Sequence, residues 1–120
     1  YNFVQGQGWL TTEEVNWNAN GQITTFSPST YKIPSISDVP RKFNVEIFKQ
    51  GKNKEKVVNK SKTTGEPPLM LAMSVFYAIK DAIASAAKYK IIPILDAPAT
   101  PEKILMSLKE LKNRNNHNKN

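Results

Sequence analysis

The chain has 120 residues, of which 39% are hydrophobic, and a formal net charge of +7 at pH 7. This length suits one domain, and the apolar content suits a protein with a hydrophobic core. The absence of cysteine excludes a disulfide framework and a thiolate metal site, and it agrees with a reducing, cytoplasmic location.

The first forty residues combine an ambiguous start with a hairpin pattern. Residues 1–10 are partly apolar, but Gly6 and Gly8 each lower helix stability by about 1 kcal/mol relative to alanine. Between residues 13 and 26, Asn20-Gly21 fits a tight turn joining two extended runs, which predicts a β-hairpin. Residues 27–40 contain three prolines and are expected to be an ordered irregular segment.

A strand pattern and a lysine-rich segment follow. Phe43, Val45 and Ile47 alternate with polar residues, which predicts a half-buried strand. The lysines between residues 49 and 62 could attract a polyanion, but no aromatic residue is interleaved for base stacking. We interpret residues 49–62 as a solvated loop. A basic nucleic-acid-binding module is the alternative from a different functional class.

Residues 61–68 place one carboxylate in a stiff setting. Glu66 lies between Gly65 and the prolines at positions 67 and 68, where a long apolar stretch begins. Pro67 lacks an amide hydrogen and disfavours helical geometry at Glu66, so a helix is expected to begin here. The residues alone leave two interpretations open: a carboxylate at the positive end of a helix dipole, or a carboxylate fixed for chemistry.

The apolar stretch predicts a long helix over residues 67–89. Its hydrophobic side chains occupy nearly all faces, which is typical of a buried helix. Four polar residues interrupt the run and argue against a membrane span: Ser74, Lys80, Asp81 and Ser85. Because 120 residues offer little cover for such a helix, we expect the chain to be part of a larger protein and to self-associate when isolated.

A last helix is expected to begin at Pro101, with Thr100 as its cap. Residues 113–120 are polar, so we predict a mobile tail in which His117 is solvated, after one structural segment covering residues 1–112. The predicted fold class is α+β, with a β-hairpin and a further strand packed on the long buried helix plus the C-terminal helix.

Four motifs occur in the same order as in a known family. They are residues 3–14 (FVQGQGWLTTEE), 28–34 (PSTYKIP), 65–69 (GEPPL) and 95–102 (LDAPATPE). Together they resemble the C-terminal end of the molybdenum-binding subunit of bacterial xanthine dehydrogenases, in the xanthine oxidase family of molybdenum hydroxylases. Aldehyde oxidases of that family tend to replace the proline pair, so Pro67 and Pro68 favour the xanthine dehydrogenase branch.

The resemblance implies roles for three residues. Glu66 matches the catalytic base, and Thr64 and Gly65 match positions whose backbone lies against the pterin. The family holds molybdenum through the dithiolene of the pterin, so the resemblance implies no metal-ligating side chain here. Thr63 and Thr64 replace the commoner alanine-valine pair, a small departure because the contact at position 64 is made by the backbone.

The resemblance also implies a wider setting. The chain would be a fragment of a larger molybdopterin-binding domain, with the rest of that subunit and an FAD/iron–sulfur subunit as partners. The full enzyme would carry molybdenum–molybdopterin, FAD and 2Fe–2S clusters, hydroxylate purines such as hypoxanthine and xanthine, and serve purine catabolism. A related aldehyde or N-heteroaromatic oxidoreductase is the alternative. The isolated chain is expected to bind no cofactor and no membrane, and to be inactive.

Overall fold

The computed structural model describes residues 2–61 and 65–117, in which three α-helices are joined by long irregular segments. The helices are α1 (Asn2–Thr11), α2 (Pro67–Ser85) and α3 (Pro101–His117). Two short 3₁₀ helices, Ile36–Asp38 and Val58–Lys60, interrupt the connection between α1 and α2.

The predicted α+β fold is wrong, because no strand forms in the part of the chain that the structure describes. The turn at Asn20-Gly21 does form: Gly21 has a φ of 74°, and the Asn18 amide donates to the Gln22 carbonyl at 2.9 Å. Beyond it, pairing is limited to an isolated antiparallel bridge between Trp17 and Ile23. An isolated two-stranded hairpin is marginal in water, and here Trp17 remains 60% exposed.

The further strand predicted around Phe43, Val45 and Ile47 is also absent from the described residues. The segment is irregular, and Ile47 is 84% exposed. Strand preference reflects packing of alternate side chains against a neighbouring surface. Phe43 has such a contact, with its ring centroid 5.4 Å from that of Phe3 in α1, but Val45 is 70% exposed. The alternating pattern therefore predicted a strand that this chain does not form.

Helix α1 packs against α2 and is bonded to two other parts of the chain. The side-chain amide of Gln7 donates to the carbonyl of Asp38 at 3.0 Å. The carbonyl of Leu10 accepts the Ala99 amide at 2.7 Å, which attaches the segment that leads into α3. The N-terminal helix is thus the element that joins the others.

A small hydrophobic core lies between the second half of α2, the segment after it, and α3. Its buried members are Ile83, Ala87, Ile91, Leu95, Ala99 and Leu111. Ile83 is one turn before Ala87, so both lie on the face of α2 and its extension that meets this cluster. Leu111 is 1% exposed and is the largest fully buried side chain among the described residues.

The predicted helix boundaries are partly confirmed. Both α2 and α3 begin at their predicted prolines, and the Lys103 amide donates to Thr100 Oγ1 at 3.3 Å. Helix α2 ends at Ser85 rather than residue 89, because Lys88 and Tyr89 adopt left-handed φ values of 52° and 59°.

Helix α3 extends to His117. In its last turn, the Arg114 side chain donates to the Ile92 carbonyl at 3.2 Å. The limit predicted between residues 112 and 113 therefore lies inside this helix. The division into a segment 1–112 and a mobile tail 113–120 stays a prediction, and residues 118–120 lie outside the described part.

The chain exposes much more surface than a compact protein of its size. Its accessible area is 9963 Å², whereas a compact monomer of this mass exposes about 6,500 Å². The radius of gyration is 18.9 Å, against about 14 Å for a compact domain of this length. The expectation that α2 is buried all round is not met in this chain, where its buried residues are Pro68, Ala72 and Ile83.

By length and composition, α2 qualifies as a helix that could cross a membrane, with 17% of the qualifying window buried. Core helices of soluble proteins satisfy the same criteria. Its exposed apolar side chains lie mainly in the first three turns: Leu69, Met70, Leu71, Met73 and Tyr77. The absence of membrane binding stays a prediction from the sequence.

We expect the purified chain to self-associate through these exposed side chains of α2. Burying one large apolar side chain contributes roughly 1.5–3 kcal/mol, so a few of them favour association strongly. Light scattering should report particles larger than the monomer, and the double substitution Met70→Gln with Leu71→Gln should reduce their size. Val58→Gln, at a more exposed site outside α2, should not. A strictly monomeric parent at high concentration would contradict this expectation.

The small core gives a second prediction. Leu111→Ala should lower the free energy of unfolding by about 2–5 kcal/mol, because it removes a fully buried side chain and leaves a cavity. Leu105→Ala on the same helix is the matched control, since Leu105 is 52% exposed and should change stability little. Thermal unfolding followed by circular dichroism measures both, and equal effects would show that the α2–α3 cluster is not a stabilising core.

Candidate functional site

The candidate site is the start of α2, where Glu66 is the N-cap residue. Its backbone has φ −108° and ψ 56°, outside the helical region, and its carbonyl accepts the Leu69 amide at 3.1 Å. Pro67 and Pro68 occupy the first two helical positions, where a missing amide hydrogen costs nothing. The sequence prediction of a helix start with Glu66 just outside it is confirmed.

The carboxylate of Glu66 makes no capping hydrogen bond. An N-cap side chain normally accepts from the amide of the second or third helical residue. Here the second residue is Pro68, which has no amide hydrogen, and the third, Leu69, already donates to the Glu66 carbonyl. Pro68 therefore removes one capping partner and the other is already engaged, so neither draws the Glu66 side chain back onto its own helix, and Glu66 is exposed.

Helix α1 contacts the first turn of α2 through Gly6. A Cβ built on Gly6 would overlap the Pro68 carbonyl oxygen and lie 2.8 Å from the carbonyl carbon and 3.0 Å from the Ala72 Cβ. Pro68 and Ala72 are buried and are four residues apart, so they share the face of α2 that α1 covers. The backbone contact at Gly6 is therefore two residues from Glu66.

Gly8, also buried in α1, serves a different contact. Its Cβ would meet the side chain of Glu13 and lie 2.5 Å from Pro34 Cδ. Partial burial raises the pKa of the Glu13 carboxyl. Successive residues of a helix are rotated by about 100°, so Gly6 and Gly8 point to different sides of α1. Gly6 allows α2 to approach α1 closely, and Gly8 allows the segment around Pro34 to do so.

The two residues predicted to lie against a pterin have different outcomes. Thr64 falls among residues 62–64, outside the described part of the structure. Gly65 is exposed, and a Cβ added there would meet no atom within 4 Å. No crowding by the described residues therefore demands glycine at this position. The open space beside Gly65 and the exposed carboxylate of Glu66 can both receive a group supplied from outside.

Two further candidate features are the lysine-rich segment and a cluster of metal-ligating side chains. The five described lysines between residues 49 and 60 are all exposed, as expected for a solvated loop. Across residues 2–61 and 65–117, no group of three or more His, Cys, Asp or Glu side chains is arranged to hold a metal ion.

The sequence interpretation missed the role of Gly6. The sequence pattern assigns Gly6 and Gly8 only a cost in helix stability, but Gly6 is where the backbone of α2 meets α1. The available signal was the combination itself, because glycine retained in a helix indicates close approach of another backbone.

Comparison with known proteins assigns the family. Residues 2–40 match the family described as "Molybdopterin cofactor-binding domain". The cat xanthine dehydrogenase/oxidase is 47% identical over 85% of this chain and 8% of its own length. The xanthine dehydrogenase of rice is 42% identical over 88% of the chain, and that of the yeast Blastobotrys adeninivorans is 44% identical over 87%.

The chain spans about 8% of the length of the curated relatives that it matches. The matched region nevertheless includes most of this chain, and the relatives come from animals, plants and yeast. The resemblance inferred from the four motifs is therefore confirmed. The chain belongs to the xanthine dehydrogenase/oxidase family and contains part of its molybdopterin cofactor-binding domain.

Proposed function

We propose that this chain contributes the catalytic base to a xanthine dehydrogenase-like molybdenum hydroxylase, an oxidoreductase that hydroxylates purines such as hypoxanthine and xanthine. The observation that carries the proposal is the position of Glu66. Its carboxylate is exposed, makes no capping bond, and belongs to a backbone held by two prolines and by Gly6. The relatives named xanthine dehydrogenase support the choice of reaction.

The residues beside Glu66 fit a cofactor that is held mainly by other parts of the enzyme. Gly65 leaves open space next to its backbone, so a planar group can approach it closely. We assign Gly65 and Thr64 to backbone contact with the pterin. When bound, the molybdenum cofactor supplies the oxygen that is transferred and accepts the two electrons from the substrate.

Glu66 would act as a general base. A carboxylate can accept the proton that is lost as oxygen is transferred, provided that it is not already bonded to its own helix. The helix start meets that requirement, because Pro68 has no amide hydrogen to donate and the Leu69 amide is already bonded to the Glu66 carbonyl. The prolines limit how far the backbone of Glu66 can move relative to the helix start.

The further partners follow from the same proposal. The rest of the molybdenum-binding subunit would cover the exposed face of α2 and supply the residues that grip the substrate. FAD and 2Fe–2S clusters, in other parts of the enzyme, would carry the electrons away.

The proline pair favours purines over aldehydes as substrates, and comparing turnover of xanthine with that of an aromatic aldehyde would distinguish the two substrate classes. The cytoplasmic location stays a prediction from the lack of cysteine.

Glu66→Gln, made in the molybdenum-loaded enzyme that contains this segment, should lower xanthine turnover about 10²- to 10⁴-fold. Glutamine keeps the size of the side chain but cannot accept the proton. The molybdenum content should be unchanged, and turnover is measured per bound molybdenum.

Glu102→Gln is the matched control, because Glu102 is also an exposed glutamate at a proline-initiated helix start. It should retain parental turnover. Activity of Glu66→Gln within tenfold of the parent would show that Glu66 is not the base.

Replacing the lysines between residues 49 and 60 with glutamine should leave xanthine turnover and molybdenum content nearly unchanged, because these side chains are exposed and solvated. Loss of turnover in a folded variant would indicate that the loop docks a partner or the substrate.

Filter binding of DNA and RNA at low and high salt tests the nucleic-acid alternative, since phosphate contacts weaken steeply with salt.

A further inference from the structure

We propose that Gly6 is a positioning residue for Glu66, acting through the first turn of α2. The inference rests on the proposed role of Glu66 as base and extends it to a residue on a different helix. Gly6 touches neither substrate nor cofactor in this proposal. It sets how close α1 and α2 can approach, and thereby where the carboxylate is presented.

The contact leaves no room for a side chain on Gly6. A Cβ would overlap the Pro68 carbonyl oxygen and approach the Ala72 Cβ to 3.0 Å. Real Cβ atoms essentially never lie under 3.0 Å from a non-bonded heavy atom. The obstructing oxygen belongs to the backbone rather than to a flexible side-chain end. Any residue larger than glycine must therefore move the start of α2 away from α1.

Such a displacement of the Pro68 carbonyl would be transmitted almost fully to the backbone of Glu66. Pro67 and Pro68 have φ fixed near −65° by their rings, so two of the dihedrals between the contact and Glu66 cannot absorb the movement. The bond from the Leu69 amide to the Glu66 carbonyl closes the same turn at 3.1 Å. The first turn of α2 and the backbone of Glu66 should therefore move together.

Gly8 offers an internal control on the same helix. A Cβ there would press on Pro34 and the Glu13 side chain instead of α2. Gly8→Ala therefore introduces the same substitution and the same gain in helix propensity, with a steric conflict that falls on side-chain atoms of Glu13 and Pro34. It differs in leaving the contact with Pro68 unchanged.

The test uses the molybdenum-loaded enzyme that contains this segment. Gly6→Ala should lower the single-turnover rate of enzyme reduction by xanthine, expressed per bound molybdenum, on the order of 10- to 100-fold, because small misplacements of a catalytic group are costly. The KM for xanthine should change little, since the substrate-gripping residues lie elsewhere in the proposal. Gly8→Ala should retain the parental rate per molybdenum even if it lowers the Tm.

A double-mutant cycle tests whether Gly6 acts through Glu66. Adding Gly6→Ala to Glu66→Gln should cause no further loss of rate, because the group being positioned is already disabled. Multiplied losses would overturn the proposal. A Gly6→Ala enzyme that contains less molybdenum but reacts at the parental rate per molybdenum would also overturn it, since that result describes a purely structural glycine.

If Gly6→Ala fails to load molybdenum, Ala72→Ser provides the same test, because it adds one atom on the opposite side of the contact. A lower rate per molybdenum supports positioning, and an unchanged rate overturns it. These outcomes remain distinct from failure of the proposed function. If Glu66→Gln itself turns over xanthine normally, the base assignment is wrong, whereas an inactive Glu66→Gln beside a fully active Gly6→Ala rejects only the role of Gly6.

Discussion

The contact between Gly6 and the Pro68 carbonyl is the constraint on which the rest of the structure depends. It brings two helices that are distant in sequence into backbone contact, and α1 in turn is bonded to the segments around Asp38 and Ala99. A glycine inside a helix lowers its stability by about 1 kcal/mol relative to alanine. The close approach that it permits fixes the start of α2, which is the part of the chain that carries Glu66.

The start of α2 combines a stiff backbone with a carboxylate that makes no capping hydrogen bond. A glutamate before a helix would ordinarily find amide hydrogens to accept from, and its side chain would then serve the helix. Here Pro68 has no amide hydrogen and the Leu69 amide is bonded to the Glu66 carbonyl, while both prolines suit a first helical turn. The local backbone is rigid because of its sequence, and its placement is fixed by a helix that precedes it by some sixty residues. Both conditions are needed for a side chain to act repeatedly at one position relative to a cofactor.

The failed strand predictions and the exposed face of α2 have a common physical cause. Alternating side chains form a strand only when a surface receives them, and an apolar helix is buried only when other elements cover it. The described residues cover α2 only where it meets α1 and the α2–α3 core, and Ile47 and Met70 are largely exposed, so the chain has the surface of a much less compact molecule. Since the chain spans about 8% of the length of its relatives, patterns shaped by contacts in a longer protein can remain unsatisfied in this structure.

The sequence by itself determined the helix start at Pro67, the helix start at Pro101 with its Thr100 cap, the turn at Asn20-Gly21, and the family. These features depend on local backbone chemistry or on motifs read in order. Only the tertiary structure decided that α1 is a helix, that Gly6 is where α2 meets it, and that the extended runs do not pair. Those outcomes depend on contacts between residues far apart in the chain. The residue type alone does not distinguish a glycine that allows close approach of a neighbouring backbone from one that only destabilises its helix.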